Sequence, residues 1–184
     1  MIFIAATLSY LIGSIPFAVI FTHRHGIDVR KVGSGNPGFA NSVRAVGIVK
    51  ALPVLVADIG KGWVGAYFAL ALGGGWWAAI FAVVGHCFSP WLKFNGGKGV
   101  ATFIGVALFA IPLITMIAML IWLLTFLIFR ITSLASLLSI AIILIGVWWF
   151  MPTLLLEFSV VLTIILFKHL KNIYRISRGF EYKF

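Results

Sequence analysis

Residues 93–99, KFNGGKG, set one lysine, Lys98, among Gly96, Gly97 and Gly99 and lead straight into the apolar run VATFIGVALFA. Glycines just ahead of a helix leave backbone N–H groups turned outward, and the positive end of the helix dipole points the same way. The combination is an anion cradle to which Lys98 adds a full charge. It is not a nucleotide loop: no glycine lies five residues before the Gly97-Lys98 pair, and Gly99 stands where Ser or Thr would hold magnesium.

A second recipe of the same kind is VGSGNPGFANSVRAVG, 32–47. Gly33, Gly35 and Gly38 free the backbone, Ser34, Asn36 and Asn41 supply neutral donors, and Arg44 supplies a fixed charge. A short helix over 39–46 would put Asn41 and Arg44 on one face, with Phe39, Val43 and Val46 toward lipid or core. His86, in GHCF, is a further candidate, either as a base or as a hydrogen-bonded structural residue. Near the end, KHLKNIYR sets His169 and Asn172 three apart on one helical face, while Lys168, Lys171, Arg175 and Arg178 form a basic surface suited to anionic lipid. In SLASLLS, Ser133 and Ser136 open a segment as N-caps or as ligands.

The inventory also excludes chemistry. The lone Cys87 allows no intramolecular disulfide and has no acid or cationic cluster to activate it. The four carboxylates, Asp28, Asp58, Glu157 and Glu181, are too scattered to hold Mg²⁺ or Zn²⁺, so a metal-free site without a cofactor is expected. Several converging N–H donors with Arg44 and Lys98 suit a ligand with two phosphate-like groups, or two phosphorylated ligands.

The elements that hold these residues are membrane helices. In 184 residues, 62% are apolar and 10% charged, with mean hydropathy +1.16, which no small soluble core can bury. The period-two alternation of a membrane barrel is missing, so an all-helical single domain over 1–184 is expected. The opening MIFIAATLSY has no basic n-region or cleavage site and reads as a retained span. Apolar runs fall near 1–22, 48–72, 76–92, 100–129, 133–150 and 153–167. As one helix, 100–129 would reach about 45 Å, beyond a hydrocarbon core of about 30 Å. Pro112 offers a place to break it, leaving a first piece of about 18 Å that is short for a crossing. With that break there are seven transmembrane or membrane-embedded segments, and every Lys and Arg except Lys61 falls on one face. The positive-inside rule then puts the N-terminus outside and the C-terminus in the cytoplasm, and it accounts for the net charge of +10 without nucleic acid. Lys61, three residues after Asp58 in DIGKG, shares a helical face with it, and a buried or interfacial ion pair is expected.

Taken in order, YLIGSIPF, GSGNPGFANSVRAVG, DIGKG, GHCF to GGKGVAT, SLAS and KHLKNIYR with its GFE ending resemble the bacterial acyl-phosphate:glycerol-3-phosphate acyltransferases, the PlsY family, over essentially the whole chain. Two departures are Phe39-Ala40, where a small residue and Thr are common, and Pro90, one position late. The resemblance implies a multi-pass enzyme of the bacterial inner membrane with its active site on the cytoplasmic face. It implies acyl transfer from acyl phosphate to the 1-hydroxyl of sn-glycerol 3-phosphate, giving lysophosphatidic acid, with functional coupling to an acyl-phosphate-forming enzyme. The same resemblance assigns Ser34, Arg44, Lys98, Ser136, His169 and Asn172 to the polar set, and Asn36, Gly96, Gly97 and Gly99 to phosphate-holding loops. On that basis Ser34, Asn36 and Lys98 are expected to be catalytic. Arg44, Asn41, Ser133, Ser136, His169, Asn172, His86 and the three glycines are expected to bind substrate.

Two rivals remain at this level. HRHGID, 23–28, fits the His-x4-Asp pattern of acyl-CoA-type acyltransferases, and chance accounts for it. A transporter or channel for small phosphorylated anions would also use broken helices, but it would carry polar residues through the midplane rather than on one face. Palmitoyl phosphate should serve as donor where palmitoyl-CoA does not, and the reverse preference would favour the first rival. Solute flux in liposomes without product would favour the second.

Overall fold

The computed structural model describes residues 1–184 and is built of helices and connecting turns, with no strand. In chain order the helices are α1 (Ile2–Ser14), α2 (Phe17–His23), α3 (Phe39–Val46), α4 (Ile48–Ala71), α5 (Gly75–Ala79), α6 (Phe81–Cys87), α7 (Val100–Ala110), α8 (Pro112–Phe129), α9 (Thr132–Phe150) and α10 (Leu155–Ser177). The chain forms two compact units, Met1–Val106 and Ala107–Phe184. Five stretches are long and apolar enough to cross a membrane: Ile2–His23, Ile48–Ala71, Pro112–Phe129, Thr132–Phe150 and Pro152–Ser177. α7 is apolar but shorter. Leu113, Met116, Ile117, Leu120, Leu124 and Leu127 of α8 are exposed, as a lipid-facing surface must be.

Proline decides where two of the apolar runs break. The expected break at Pro112 is present: Ile111 leaves the helical region at φ −142° and ψ 67°, separating α7 from α8. The Ile111 carbonyl caps the start of α8, accepting from the Thr115 hydroxyl and backbone N–H at 3.0 and 3.1 Å. The run 1–22, continuous by hydropathy, is broken as well. Pro16 drives Ile15 to φ −58° and ψ 120°, so α1 ends and α2 begins inside one span. The run expected over 76–92 is two short helices, α5 and α6, followed by a single 3-10 turn at Pro90–Leu92.

In the first unit α1 packs against α4, α5 and α6. Its seam with α6 is drawn tight by glycine: a Cβ on Gly13 would run into Ala82 O, and one on Gly85 into Tyr10 O. Backbones in that contact leave room for polar links, and the Tyr10 hydroxyl donates to Phe88 O at 2.7 Å.

In the second unit α9 packs against α8 and α10. α10 runs ten residues past the apolar run that predicts it, because Phe158, Val161, Ile165, His169 and Asn172 continue one buried stripe at helical spacing. Beyond it the tail folds back. Glu181 accepts from Ser133 Oγ at 3.1 Å, Asn172 Nδ2 at 2.5 Å and Arg175 Nε at 2.6 Å. The Phe184 N–H donates to Arg130 O, and its ring meets Phe126 edge-on. Burial alone would raise the Glu181 carboxyl, but the Arg175, Asn172 and Ser133 donors outweigh it and hold the group below the usual carboxylate value. A lowered value means the stabilisation is present above the usual range and is lost on acidification through it. Glu181→Gln should therefore melt below the wild type at pH 7, with the gap closing as pH falls below about 4.5, the usual glutamate range. A gap independent of pH would show that the carboxylate charge plays no part.

Candidate functional site

The first glycine-rich loop is held by Asn41. Its side-chain amide donates to Val29 O at 2.8 Å and Val32 O at 2.9 Å, and its carbonyl oxygen accepts from Ser34 N at 3.1 Å. Asn41 is 1% exposed, at the start of α3, which forms over the residues expected of it. Three bonds from one amide fix the loop from Val29 to Ser34 and leave Ser34 at the surface. The Asn36 N–H approaches Ser34 Oγ at 3.4 Å. Arg44 follows Asn41 by one turn and is half-buried.

The second loop lies against the first. Gly96, Gly97 and Gly99 are buried while Lys98 between them is half-buried, directly ahead of α7. Gly97 N–H donates to His86 O at 3.1 Å. A Cβ on Gly97 would strike His86 Nε2 and crowd Pro37 O, and one on Gly96 would strike His86 O. Close approach, not turn geometry, therefore demands glycine at 96 and 97. The contact of Gly97 with Pro37 joins the two sequence clusters, and a narrow cleft beside it runs along the break between α1 and α2, lined by Ile15, Pro16, Pro37, Asp58, Lys61 and Gly97 among others.

The DIGKG pair lines that cleft. Lys61 Nζ lies 2.6 Å from Asp58 Oδ1, as the i, i+3 spacing predicts, and both residues are at most 5% exposed. The pair is a close ionic contact. Lys61 also donates to Ile15 O at 2.8 Å, the carbonyl released by the Pro16 break. His86 Nδ1 is 3.7 Å from Asp58 Oδ1 and is hydrogen-bonded with Thr102 Oγ1 at 3.1 Å. Thr102, inside GGKGVAT, is the participant that motif reading passed over; its place in the first turn of α7, directly after the loop, is the signal that could have found it.

The C-terminal candidates fall in the second unit. Ser133 and Ser136 do not cap α9, whose first residue is Thr132 and whose N-cap is Ile131. Ser133 donates to Glu181, and Ser136 donates to Thr132 O while accepting from Trp122 Nε1 at 3.1 Å. His169, 1% exposed, holds its Nδ1 2.9 Å from Ile165 O. A carbonyl only accepts, so Nδ1 carries the proton in that bond. Arg175, expected in the lipid-facing basic surface, is instead drawn to Glu181 and lies over the Tyr182 ring at 5.0 Å.

HRHGID resolves differently. Asp28 receives the Arg30 side chain through two bonds of 2.9 Å and the Arg30 backbone N–H at 3.0 Å. These side-chain and backbone bonds hold its carboxyl down to about 2. The aspartate that a His-x4-Asp site would use to orient a histidine is thus committed to Arg30.

Comparison with known proteins places this arrangement. The family model for glycerol-3-phosphate acyltransferase matches residues 3–179. A glycerol-3-phosphate acyltransferase of Wolbachia pipientis subsp. Culex pipiens is 42% identical, with 99% of this chain and 98% of that one covered. Glycerol-3-phosphate acyltransferase 1 of Deinococcus radiodurans is 49% identical over 60% of this chain, a match that spans only 58% of the relative's own length. The crystal structure of PlsY, an integral membrane glycerol 3-phosphate acyltransferase, in its glycerol 3-phosphate form superposes with TM-score 0.92 at 33% identity, covering 99% of this chain and 94% of that one. Its lysophosphatidic acid form gives 0.90 at 32% identity and the same coverage. A helical integral membrane fold, two glycine-rich loops in contact and a full-length family match converge on one assignment: the chain belongs to the glycerol-3-phosphate acyltransferase family.

Proposed function

We infer that this protein moves an acyl chain from acyl phosphate to the 1-hydroxyl of sn-glycerol 3-phosphate. The observation that carries the reading is the contact between the two glycine-rich loops at Pro37 and Gly97, which brings the two anion-binding recipes against each other, with Lys98 next to Gly97 in the chain. Solved relatives that hold glycerol 3-phosphate and lysophosphatidic acid support the acceptor and the product.

Acyl phosphate is a mixed anhydride with a good leaving group, so the protein has mainly to position an alcohol within about 3–3.5 Å of the carbonyl carbon and to stabilise charge. Lys98 and the Gly96, Gly97 and Gly99 backbone hold the donor's phosphate. By the resemblance, Arg44 and, in the second unit, His169 and Asn172 are assigned to glycerol 3-phosphate, and Ser133 and Ser136 to substrate binding; the Ser133 and Asn172 donors are taken here by Glu181. Ser34 and Asn36 orient the carbonyl or the attacking hydroxyl, Asn41 acts by fixing the loop that presents Ser34, and His86 acts from behind Gly97. The hydroxyl oxygen forms the new ester bond, the bond from carbonyl carbon to phosphate oxygen breaks, and the proton passes to a phosphate oxygen of the donor. Lysophosphatidic acid and inorganic phosphate leave.

The chain works as one acyltransferase domain with seven membrane-embedded segments, N-terminus outside, in the bacterial inner membrane. The pattern of Lys and Arg supports that orientation, with the site on the cytoplasmic side. An enzyme that forms acyl phosphate supplies the donor.

Lys98→Ala should cost at least about 10²-fold in kcat/KM, the scale of losing one oriented charge-stabilising donor. Near-normal turnover would remove Lys98 from the site. Purified protein given palmitoyl phosphate and glycerol 3-phosphate should form lysophosphatidic acid at the same initial rate with and without EDTA, and a loss restored by Mg²⁺ would overturn the metal-free reading. Removal of a basic limb from the pH–rate profile by His169→Ala, with binding intact, would show that a protein base takes the proton.

A further inference from the structure

The turn 89–95 joins α6 to the second glycine loop, and hydrogen bonds to one place fix its level in the membrane. Ser89 Oγ donates to Ser14 O at 2.7 Å, and Trp91 Nε1 donates to Ser14 Oγ at 2.9 Å. Lys61 of α4 donates to the next carbonyl, Ile15 O, at 2.8 Å. That place is the break between α1 and α2, inside the first span, Ile2–His23. Measured from the surface at which α1 starts, α1 with 13 residues and α7 with 11 rise only about 20 and 17 Å, so about 10 Å of a roughly 30 Å hydrocarbon core lies beyond the turn. α4 gives a similar level from the other side. A Cβ on Gly62 would strike Thr102 O in the first turn of α7, and Gly62 lies about 21 Å along a helix that starts at Ile48. A turn that sequence places at the surface is therefore sunk beneath it.

What the turn exposes suits that depth. Trp91 and Phe94 are 64% and 62% exposed, and Leu11, one turn before Ser14 on α1, is exposed as well. The aromatic pair thus continues the lipid-facing surface of α1. The Trp91 N–H, the one polar group of the indole, is already taken by Ser14, which leaves the ring nothing to seek from water. Backbone geometry turns the chain at Phe94. Lys93 and Phe94 are consecutive left-handed residues, at φ 50° and 62°, closed in by Phe94 N–H to Ser89 O and Asn95 N–H to Leu92 O, both 2.9 Å. Two non-glycine residues in that region are uncommon and persist only where their surroundings over-determine them. Here the conformation leaves an aromatic ring outside the core. Lys93 between the two rings is exposed, and its long stem can carry the ammonium back toward the headgroups.

We propose that Trp91 and Phe94 contact lipid acyl chains in the leaflet that borders the Lys- and Arg-rich loops, and that this contact holds the Gly96–Gly99 backbone below the headgroups. The occupant is lipid rather than a protein partner, because the exposed surface is continuous with the lipid-facing side of α1 and lies deeper than a soluble molecule docks. The proposal stands on depth and exposure and does not depend on the acyl-transfer reading.

The test uses the full-length protein reconstituted in phosphatidylglycerol and phosphatidylethanolamine vesicles. Phe94→Cys carries a bimane label, with the wild type, whose Cys87 is buried, as the labelling control. A nitroxide on the upper part of the lipid chain should quench that label at least about threefold more than iodide in the water or a nitroxide on the headgroup, as a site about 10 Å inside the hydrocarbon requires. The Trp91 emission, read as the difference between the wild type and Trp91→Phe, should be quenched by chain-brominated lipid and not by iodide. Stronger quenching by iodide or by the headgroup nitroxide overturns the seat in the leaflet, and so does quenching by none of them, which would mark a face covered by protein. Trp91→Gln with Phe94→Gln should speed hydrogen exchange over residues 89–99 at least about fivefold in vesicles, while Trp91→Phe with Phe94→Leu keeps the wild-type rate. Equal exchange in both double variants overturns the claim that lipid contact holds the glycine loop.

Discussion

An ammonium group inside a membrane span costs about 2.5–3.5 kcal/mol on insertion scales unless oxygen atoms are brought to it. Lys61 meets that constraint with one carboxylate from its own helix and one carbonyl from another. The second is available only because Pro16 interrupts the first span, so a helix break that looks like a defect and a charge that looks misplaced each satisfy the other. Ser89 completes the same corner by donating to Ser14 O at 2.7 Å, and Trp91 reaches Ser14 Oγ at 2.9 Å. The segment leading into the glycine loop is thereby fastened to the end of α1, and the polar interior of the first unit grows outward from this one compensation.

That interior changes what the glycines mean. Glycine-rich loops are usually read as supple, but Gly96 and Gly97 are buried, backed by His86 and touched by Pro37. They are small because the neighbours are close. Donors that are already fixed need little reorganisation when charge develops, which is the property a phosphate cradle requires in a site partly shielded from water. Asn41 does the equivalent for the first loop with a single amide.

Much of this was legible in the residues. Pro112 marked a break because the run it interrupts is too long for a bilayer, Asp58 and Lys61 declared their pairing by a spacing of three, and the short helix considered over 39–46 is α3. Local periodicity and proline carry such information. Pro16 was visible too, but the surrounding hydropathy is unbroken and masked it. What lay out of reach were partners set by tertiary folding. Ser133 meets a carboxylate 48 residues away, Thr102 meets a histidine 16 residues back, and Arg175 turns from the lipid side toward Glu181. A serine near a helix start looks the same in sequence whether it caps the helix or serves a distant carboxylate.

α7 has a consequence for how the protein is made. Its eleven residues rise about 17 Å, roughly half of a hydrocarbon core, and a stretch of that length falls below what partitions into a bilayer as a span in its own right. Its insertion must therefore be carried by adjoining chain during synthesis.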